Sequence, residues 1–274
     1  MERERNAVVP QNPNVESRDM GQVQDDLQTD RPGFVELSYD LHIHSCLSPC
    51  GDDDMTPGNI VGMAAIKGLD VIAVTDHNSC RNCPAVLKLA EQYGVLAIPG
   101  MELTTAEEVH AVCLFPELSA ALEFDRFVYE KLMKFPNREE IFGKQQLMNG
   151  EDVCIGTEPN LLINSTELSF DELWDIVTGQ YGGVMIPAHI DKNANSLISN
   201  LGFVPPESKF RTAELHDMAV LEKLKKSNPY LEQCRVICDS DAHYLEHIHE
   251  AEWKIKVREK SAAAVIGYLR GEYV

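Results

Sequence analysis

No run of about 18 apolar residues occurs in the chain, so no membrane-spanning helix is expected. Positive charge is also scarce. Lysine and arginine number 24 against 44 aspartates and glutamates, a net charge of −20. So acidic a chain argues against broad electrostatic binding of nucleic acid. It leaves room for a small anionic substrate held by metals, because bound cations reverse the local field. The opening stretch MERERNAVVPQNPNVESRDM lacks the apolar core of a signal peptide, so a cytoplasmic protein is expected. In that compartment the eight cysteines are expected to be free or metal-bound rather than paired in disulfides. No internal repeat occurs. What is present is apolar bulk: 44% of the 274 residues are hydrophobic, enough for one large α/β barrel or two ordinary domains.

Residues 1–33 are polar, show no helical or strand period, and end in DRPG, which reads as a flexible leader. Residues 34–274 alternate strands with helices. ELSYDLHIH is a predicted strand, followed by a helix capped by Thr56, with Pro57 in its first turn and Gly68 at its end. LDVIAVTDH is a nearly continuous apolar strand, the kind that is buried on both faces. VLAIPGMELTT and EVHAVCLF are two more strands, and VMIPAHI, TAELHD and CRVICDSDAH follow later. Residues 136–168 break the rhythm and read as an insertion or lid. Ser169 and Glu172 then have capping-box spacing. AEWKIKVRE and SAAAVIGYLRG close the chain as a strand and a helix. This pattern predicts an α/β class with a mostly parallel sheet, closed as one barrel.

Metal-ligand residue types fall at the strand ends. His42 and His44 close the first strand and His77 closes the second. Glu102 ends the third, His110 lies in the fourth, and His189 ends the fifth. Asp241 and His243 end the seventh. In a parallel barrel the C-terminal strand ends share one face, so residues far apart in sequence converge. Residues i and i+2 of a strand point the same way, which pairs His42 with His44 and Asp241 with His243. Imidazole with carboxylate suits zinc, manganese or iron, and a residue such as Glu102 can bridge two ions. Two ions about 3.5–4 Å apart clamp a phosphoryl group and generate a nucleophile, so phosphate ester hydrolysis is the natural reaction. His216, His247 and His249, taken singly, read as hydrogen-bonded structural residues.

The segments DLHIHS, VTDHNS, PGMELTT, EVHAVCLF, IPAHID and SDAH, in that order over residues 40–243, resemble the PHP (polymerase and histidinol phosphatase) domain family. The resemblance implies a distorted seven-stranded, TIM-like β/α barrel carrying two or three divalent metals, mostly with phosphoesterase activity. It implies one metal held by His42, His44, Glu102 and Asp241, and a second held by His77 and His243. A third would be held by Glu102, His110 and His189. Asp40 and Asp76 resemble carboxylates that orient the neighbouring imidazoles. Asp241, His243, Glu102 and His189 are the residues expected to act in catalysis. One family ligand, normally five or six residues after HxH, is missing. Pro49 and Cys50 stand there, and Cys50 or Asp52 is the candidate replacement.

Cys46, Cys50, Cys80 and Cys83 lie in two strand-end loops and form a candidate structural cluster. Cys80 and Cys83 are alternatively a redox pair or small reduced loop residues. Cys113 reads as core. Lys192 and Arg81 are the candidate phosphate contacts, each weighed against a plain surface charge. Lys144 and Asn164 would reach substrate if the insertion covers the site. The expected function is metal-dependent hydrolysis of a small-molecule or nucleotide phosphomonoester by metal-activated water, with zinc, manganese or iron as cofactor. The runner-up is an exonuclease or phosphodiesterase acting on short single strands. Outside enzymes, a metal-binding regulatory module without turnover is the alternative. No membrane partner and no long duplex are expected.

Overall fold

The computed structural model describes residues 33–272, so the expected flexible leader lies outside the described residues except at Gly33. The elements in chain order are β1 (Val35–Ile43), α1 (Pro57–Ile66), β2 (Val71–Val74), α2 (Cys83–Tyr93), β3 (Leu96–Thr104), β4 (His110–Leu114) and α3 (Leu118–Lys131). There follow α4 (Glu139–Phe142), β5 (Gln146–Met148), β6 (Cys154–Thr157), α5 (Phe170–Trp174), β7 (Val184–Pro187), α6 (Leu197–Leu201) and β8 (Thr212–Leu215). The last are α7 (Leu221–Ser227), β9 (Arg235–Cys238), β10 (Lys254–Val257) and α8 (Ala262–Leu269). Thr56 caps α1, accepting from the Asn59 amide. Ser169 and Glu172 form the full capping box that opens α5.

One curled sheet of six strands runs in the order β10-β1-β2-β3-β4-β7. It is mixed rather than mostly parallel. β1, β2 and β3 are parallel, but β4 is antiparallel to β3, and β7 and β10 are antiparallel to β4 and β1. The reason is local: only residues 105–109 join β3 to β4, and a parallel crossover needs a dozen residues or more. β8 and β9 pair in parallel as a separate two-stranded unit. Short contacts at and just beyond the strand ends tie them to the main sheet: Ile190 N–H donates to Glu214 O, His44 N–H donates to Ala242 O, and Ile43 bridges Ala242. The continuous ladder therefore has six strands, not seven. Where β9 would join β1, the Asp239 carboxylate accepts the Leu41 amide at 2.6 Å in place of a backbone carbonyl.

This topology positions the site. β4 runs backwards, so His110 at its start lies on the same face as the C-terminal ends of β1, β2 and β3. β7 reverses again, and His189 just beyond its end returns to that face. Beneath lies apolar packing. Phe115, Phe124, Phe170 and Phe210 belong to the largest buried cluster, with Cys113 inside it. Val265 and Leu269 of α8 pack with Leu41, Val71 and Ile186 of the strands.

The segment after α3 folds over one side of this face. It contains α4 and the β5–β6 hairpin. Its hydrogen bonds anchor it. Asn78 Nδ2 donates to Leu162 O and Asn164 O at 2.7 and 2.8 Å, and buried Gln145 donates to Glu158 O and Asn160 O at 2.8 and 2.7 Å. Asp152 accepts from Thr56 Oγ1 and Gly58 N at the start of α1. These bonds tie the segment to the loop after β2 and to the start of α1.

Candidate metal centre

Glu102 is the centre of the site and is 1% exposed. Its Oε1 lies 2.8 Å from His110 Nδ1, 3.1 Å from His189 Nε2 and 3.3 Å from His42 Nε2. Its Oε2 lies 3.0 Å from His77 Nδ1 and 3.4 Å from His44 Nε2. Asp241 Oδ1 stands 3.1 Å from His44 Nε2 and 3.5 Å from His42 Nε2. His189 and Asp241 both have positive φ, 29° and 49°, a strained conformation for residues other than glycine. Such strain clusters at functional sites.

The outer nitrogens are fixed from behind. Glu214 accepts from His42 Nδ1 at 2.9 Å, which leaves His42 Nε2 as the inward lone pair. Glu214 also accepts the His189 amide at 3.2 Å. Ser48 Oγ donates to Asp76 at 2.7 Å and therefore accepts from His44 Nδ1 at 2.9 Å. His243 Nδ1 donates to the Asp241 carbonyl at 2.7 Å. In each case one ring nitrogen is committed and the other is free toward the centre.

These contacts fit divalent cations. His42 Nε2 and His44 Nε2 sit 3.2 Å apart, both aimed at carboxylate oxygens, as ligands of one ion are arranged. Nδ1 of His77 and of His189 are buried without an aligned hydrogen-bond partner, although His77 Nδ1 is near Glu102. Three donor groups have atoms within 4.8 Å of one another: His42, His44 and Asp241; His77, Glu102 and His110; and His44, Cys50, His77 and His243.

The electrostatics follow from this packing. Burial opposes a charge on His42, but Glu214, Glu102 and Asp241 outweigh it and hold its pKa well above the usual value. Burial, with His77 and His243 nearby, takes His44 well below the usual value despite its bond to Asp241. Burial would raise Glu102, yet His110, His42 and His77 hold it well below the carboxylate range. Asp241 is likewise lowered against burial by His42 and His44. Cys50 is exposed at its loop tip, but its sulfur faces inward. Burial of that sulfur, with Glu102 and Asp241 close by, pushes the thiol up.

The open cleft above these residues has a volume of about 440 Å³ and is lined also by Ile163, Lys192, Asn193 and Asn195. Lys192 Nζ pairs with Asp241 Oδ2 at its edge. Several expected residues lie elsewhere. Arg81 does not line the cleft: it pairs with Asp125 and Glu158 and stacks 4.3 Å above the Tyr129 ring. Those two buried carboxylates, not a phosphate, consume its charge. The four cysteines do not gather. Cys80 and Cys83 both donate to Gly100 O, at 3.3 and 3.4 Å, inside the main core. Cys46 packs separately with Ala85 and Met148, and Cys50 faces the histidines. Asp40 accepts the backbone amides of Ser240 and His249 rather than an imidazole N–H, so it buttresses the loop carrying Asp241. Asp76 reaches His44 only through Ser48. Asp52 accepts the Asp54 amide at 2.9 Å and belongs to none of the three donor groups. Lys144 reaches Asp53 on the exposed rim, and Asn164 lines an adjoining recess.

Glu214 and Ser48 went unread in the sequence. Glu214 had a usable signal, a lone carboxylate inside the four-residue buried strand TAEL. Glu214→Gln retains shape but turns a charge-assisted bond to His42 into a weaker one. It is expected to weaken metal binding by roughly 10- to 100-fold. Titration of metal-free protein with zinc against a competing chelator measures this. An unchanged affinity would show that Glu214 does not hold the ring.

Residues 40–202, more than half of the chain, match the PHP domain family. The chain belongs to the PHP domain family. Over 79 residues it is 38% identical to an uncharacterized protein of Methanocaldococcus jannaschii, covering 26% of this chain and 46% of that protein. Over 101 residues it is 31% identical to a 5'-3' exoribonuclease of Haemophilus influenzae, covering 34% of this chain and 36% of that one. Two solved structures share the PHP fold over 86% of the chain. A lesion-specific endonuclease from Pyrococcus furiosus has a TM-score of 0.60 at 20% identity, with 56% of its chain covered. Endonuclease Q bound to a 27-mer duplex with an abasic lesion has a TM-score of 0.59 at 18% identity, with 57% covered. At these identities the likeness is one of fold. The chain spans less than half the length of these curated relatives. Among the described residues no helix is long and apolar enough to cross a membrane.

Proposed function

We propose that this PHP-family chain hydrolyses a phosphomonoester, of a small molecule or a nucleotide, in the cleft above Glu102. The observation that carries the reading is the convergence of five imidazoles on one buried carboxylate. Two or three divalent ions, of the zinc, manganese or iron type, would supply charge for the phosphoryl oxygens and make water nucleophilic near neutral pH. The protein's own part is orientation. Glu214 and Ser48 hold His42 and His44, and Asp241, His243, Glu102 and His189 present the reacting face. Lys192, at the edge of the cleft, donates to a phosphate oxygen. Beside Cys50 the adjoining recess carries Asp52, Asp53, Glu139 and Glu140, which repel a long phosphate backbone. That favours a single phosphate over a duplex. All eight cysteines are free, which suits a reducing compartment such as the cytoplasm.

A second reading is removal of nucleotides from short single strands. The 31% identity to an exoribonuclease favours it, as does a recess lined by Asn164, Ser165 and Asn195 that continues the cleft. The test is release of phosphate or mononucleotide from sugar phosphates, histidinol phosphate, nucleotides and oligonucleotides with added Mn²⁺. Inorganic phosphate from monoesters is the expected product. Mononucleotides from oligonucleotides, without monoester turnover, would favour the second reading. No turnover on any of them would leave a metal-binding regulatory module. Lys192→Ala is expected to lower kcat/KM roughly 10- to 100-fold through loss of a charged hydrogen bond. Unchanged steady-state kinetics would remove Lys192 from the phosphate site.

A further inference from the structure

The three donor groups differ in chemistry. The two that contain Glu102 or Asp241 mix imidazole with carboxylate, whereas the third has none: it joins Cys50 to His44, His77 and His243. We propose that Cys50 is a metal ligand, and that its sulfur with His77 and His243 forms a soft site selective for zinc-like cations beside the carboxylate-rich ones.

His44 Nδ1 is bonded to Ser48, so its single free nitrogen is claimed by the group around Asp241. That leaves one thiolate and two imidazoles for the outer site. Three protein ligands with an open fourth position is the arrangement of a catalytic zinc site. Cys50, His77 and His243 all line the cleft, so the open position faces substrate. The rings already crowd together: His44 lies 4.6 Å from His77 and 4.4 Å from His243 between centroids. Thiolate with imidazole discriminates against magnesium and manganese, which prefer oxygen donors. When the cation binds, the thiol proton leaves to solvent and a sulfur–metal bond forms.

The loop bearing Cys50 is built to hold it there. Asp52 N–H donates to His243 O at 3.0 Å, clamping the loop to a fellow ligand. Gly51 N–H donates to Ser48 O at 3.0 Å. A Cβ on Gly51 would stand 2.3 Å from the Ser45 carbonyl oxygen, so only glycine allows this turn. The same loop supplies Ser48, which orients His44.

The proposal rests on reading the cluster as a metal centre, and its test needs no substrate. Metal-free protein is reconstituted with Co²⁺ and its near-ultraviolet spectrum recorded. A thiolate-to-cobalt charge-transfer band is expected in the wild type and in Cys154→Ser, and its loss in Cys50→Ser. Cys50→Ser should also hold one fewer tightly bound zinc per chain by elemental analysis, with an unchanged far-ultraviolet circular dichroism spectrum. Cys50→Asp should restore the zinc count without the band. A wild type that binds cobalt without the band overturns the proposal, as does a Cys50→Ser protein with band and zinc count intact. If the band appears and no phosphoester is turned over, this assignment stands while the phosphoesterase reading falls.

Discussion

Replacing Glu102 by glutamine is expected to lower phosphoester turnover by at least about 100- to 1,000-fold, the range for deleting one preorganised charge at a reacting centre. The change keeps size and burial. It removes a charge shared by all five surrounding imidazoles, and its amide nitrogen turns one acceptor into a donor facing ring nitrogens. Because Glu102 belongs to one donor group and lies within 3.4 Å of two rings of another, at least one metal should be lost with it. Phosphate release measured beside elemental analysis checks both effects. A variant within tenfold of wild-type activity would mean that the chemistry lies elsewhere.

The second large effect is mechanical. Gly100 lies in β3, two residues before Glu102, opposite Leu114 in the ladder with β4. A Cβ at this position would meet Cys113 O and Leu114 Cδ2, both at 2.6 Å. The carbonyl belongs to a hydrogen-bonded strand and cannot step aside. Gly100→Ala is therefore expected to cost about 1–3 kcal/mol, as overpacking of a tight core does. For a domain of this size the melting temperature falls by roughly 2–4 °C per kcal/mol. Turnover should fall further than the folded fraction explains, because a displaced β3 carries Glu102 with it. Calorimetry alongside activity separates the two. An unchanged melting temperature would show that the strands relax without strain.

The donor residues were legible because two short-range rules placed them. Alternation along a strand paired His42 with His44, and the strand-end position pointed His77, His189 and Asp241 toward one face. The direction of β4 was not legible from alternation alone. The five-residue link 105–109 carried that information, and it explains why His110 reaches the cluster from the start of a strand rather than from its end. Glu214 was hidden because a buried carboxylate announces nothing until its partner, His42, arrives from 172 residues away. Arg81 misled for the converse reason. A rim position suggests a phosphate contact, but Asp125 and Glu158 come from distant segments and neutralise it. The cysteines show the same limit: sequence proximity put Cys46 and Cys50 together, while Cys46 packs against Ala85 and Met148 and Cys50 faces the histidines.

The central claim is that Glu102 organises a multi-cation centre. Crystals of protein reconstituted with zinc and with manganese, measured at each metal's absorption edge, test it most directly. The account predicts anomalous peaks within ligand distance of Glu102, with His42, His44 and Asp241 around one and His110 and His189 around another. Crystals of fully loaded protein with no anomalous peak in contact with the Glu102 carboxylate would contradict it.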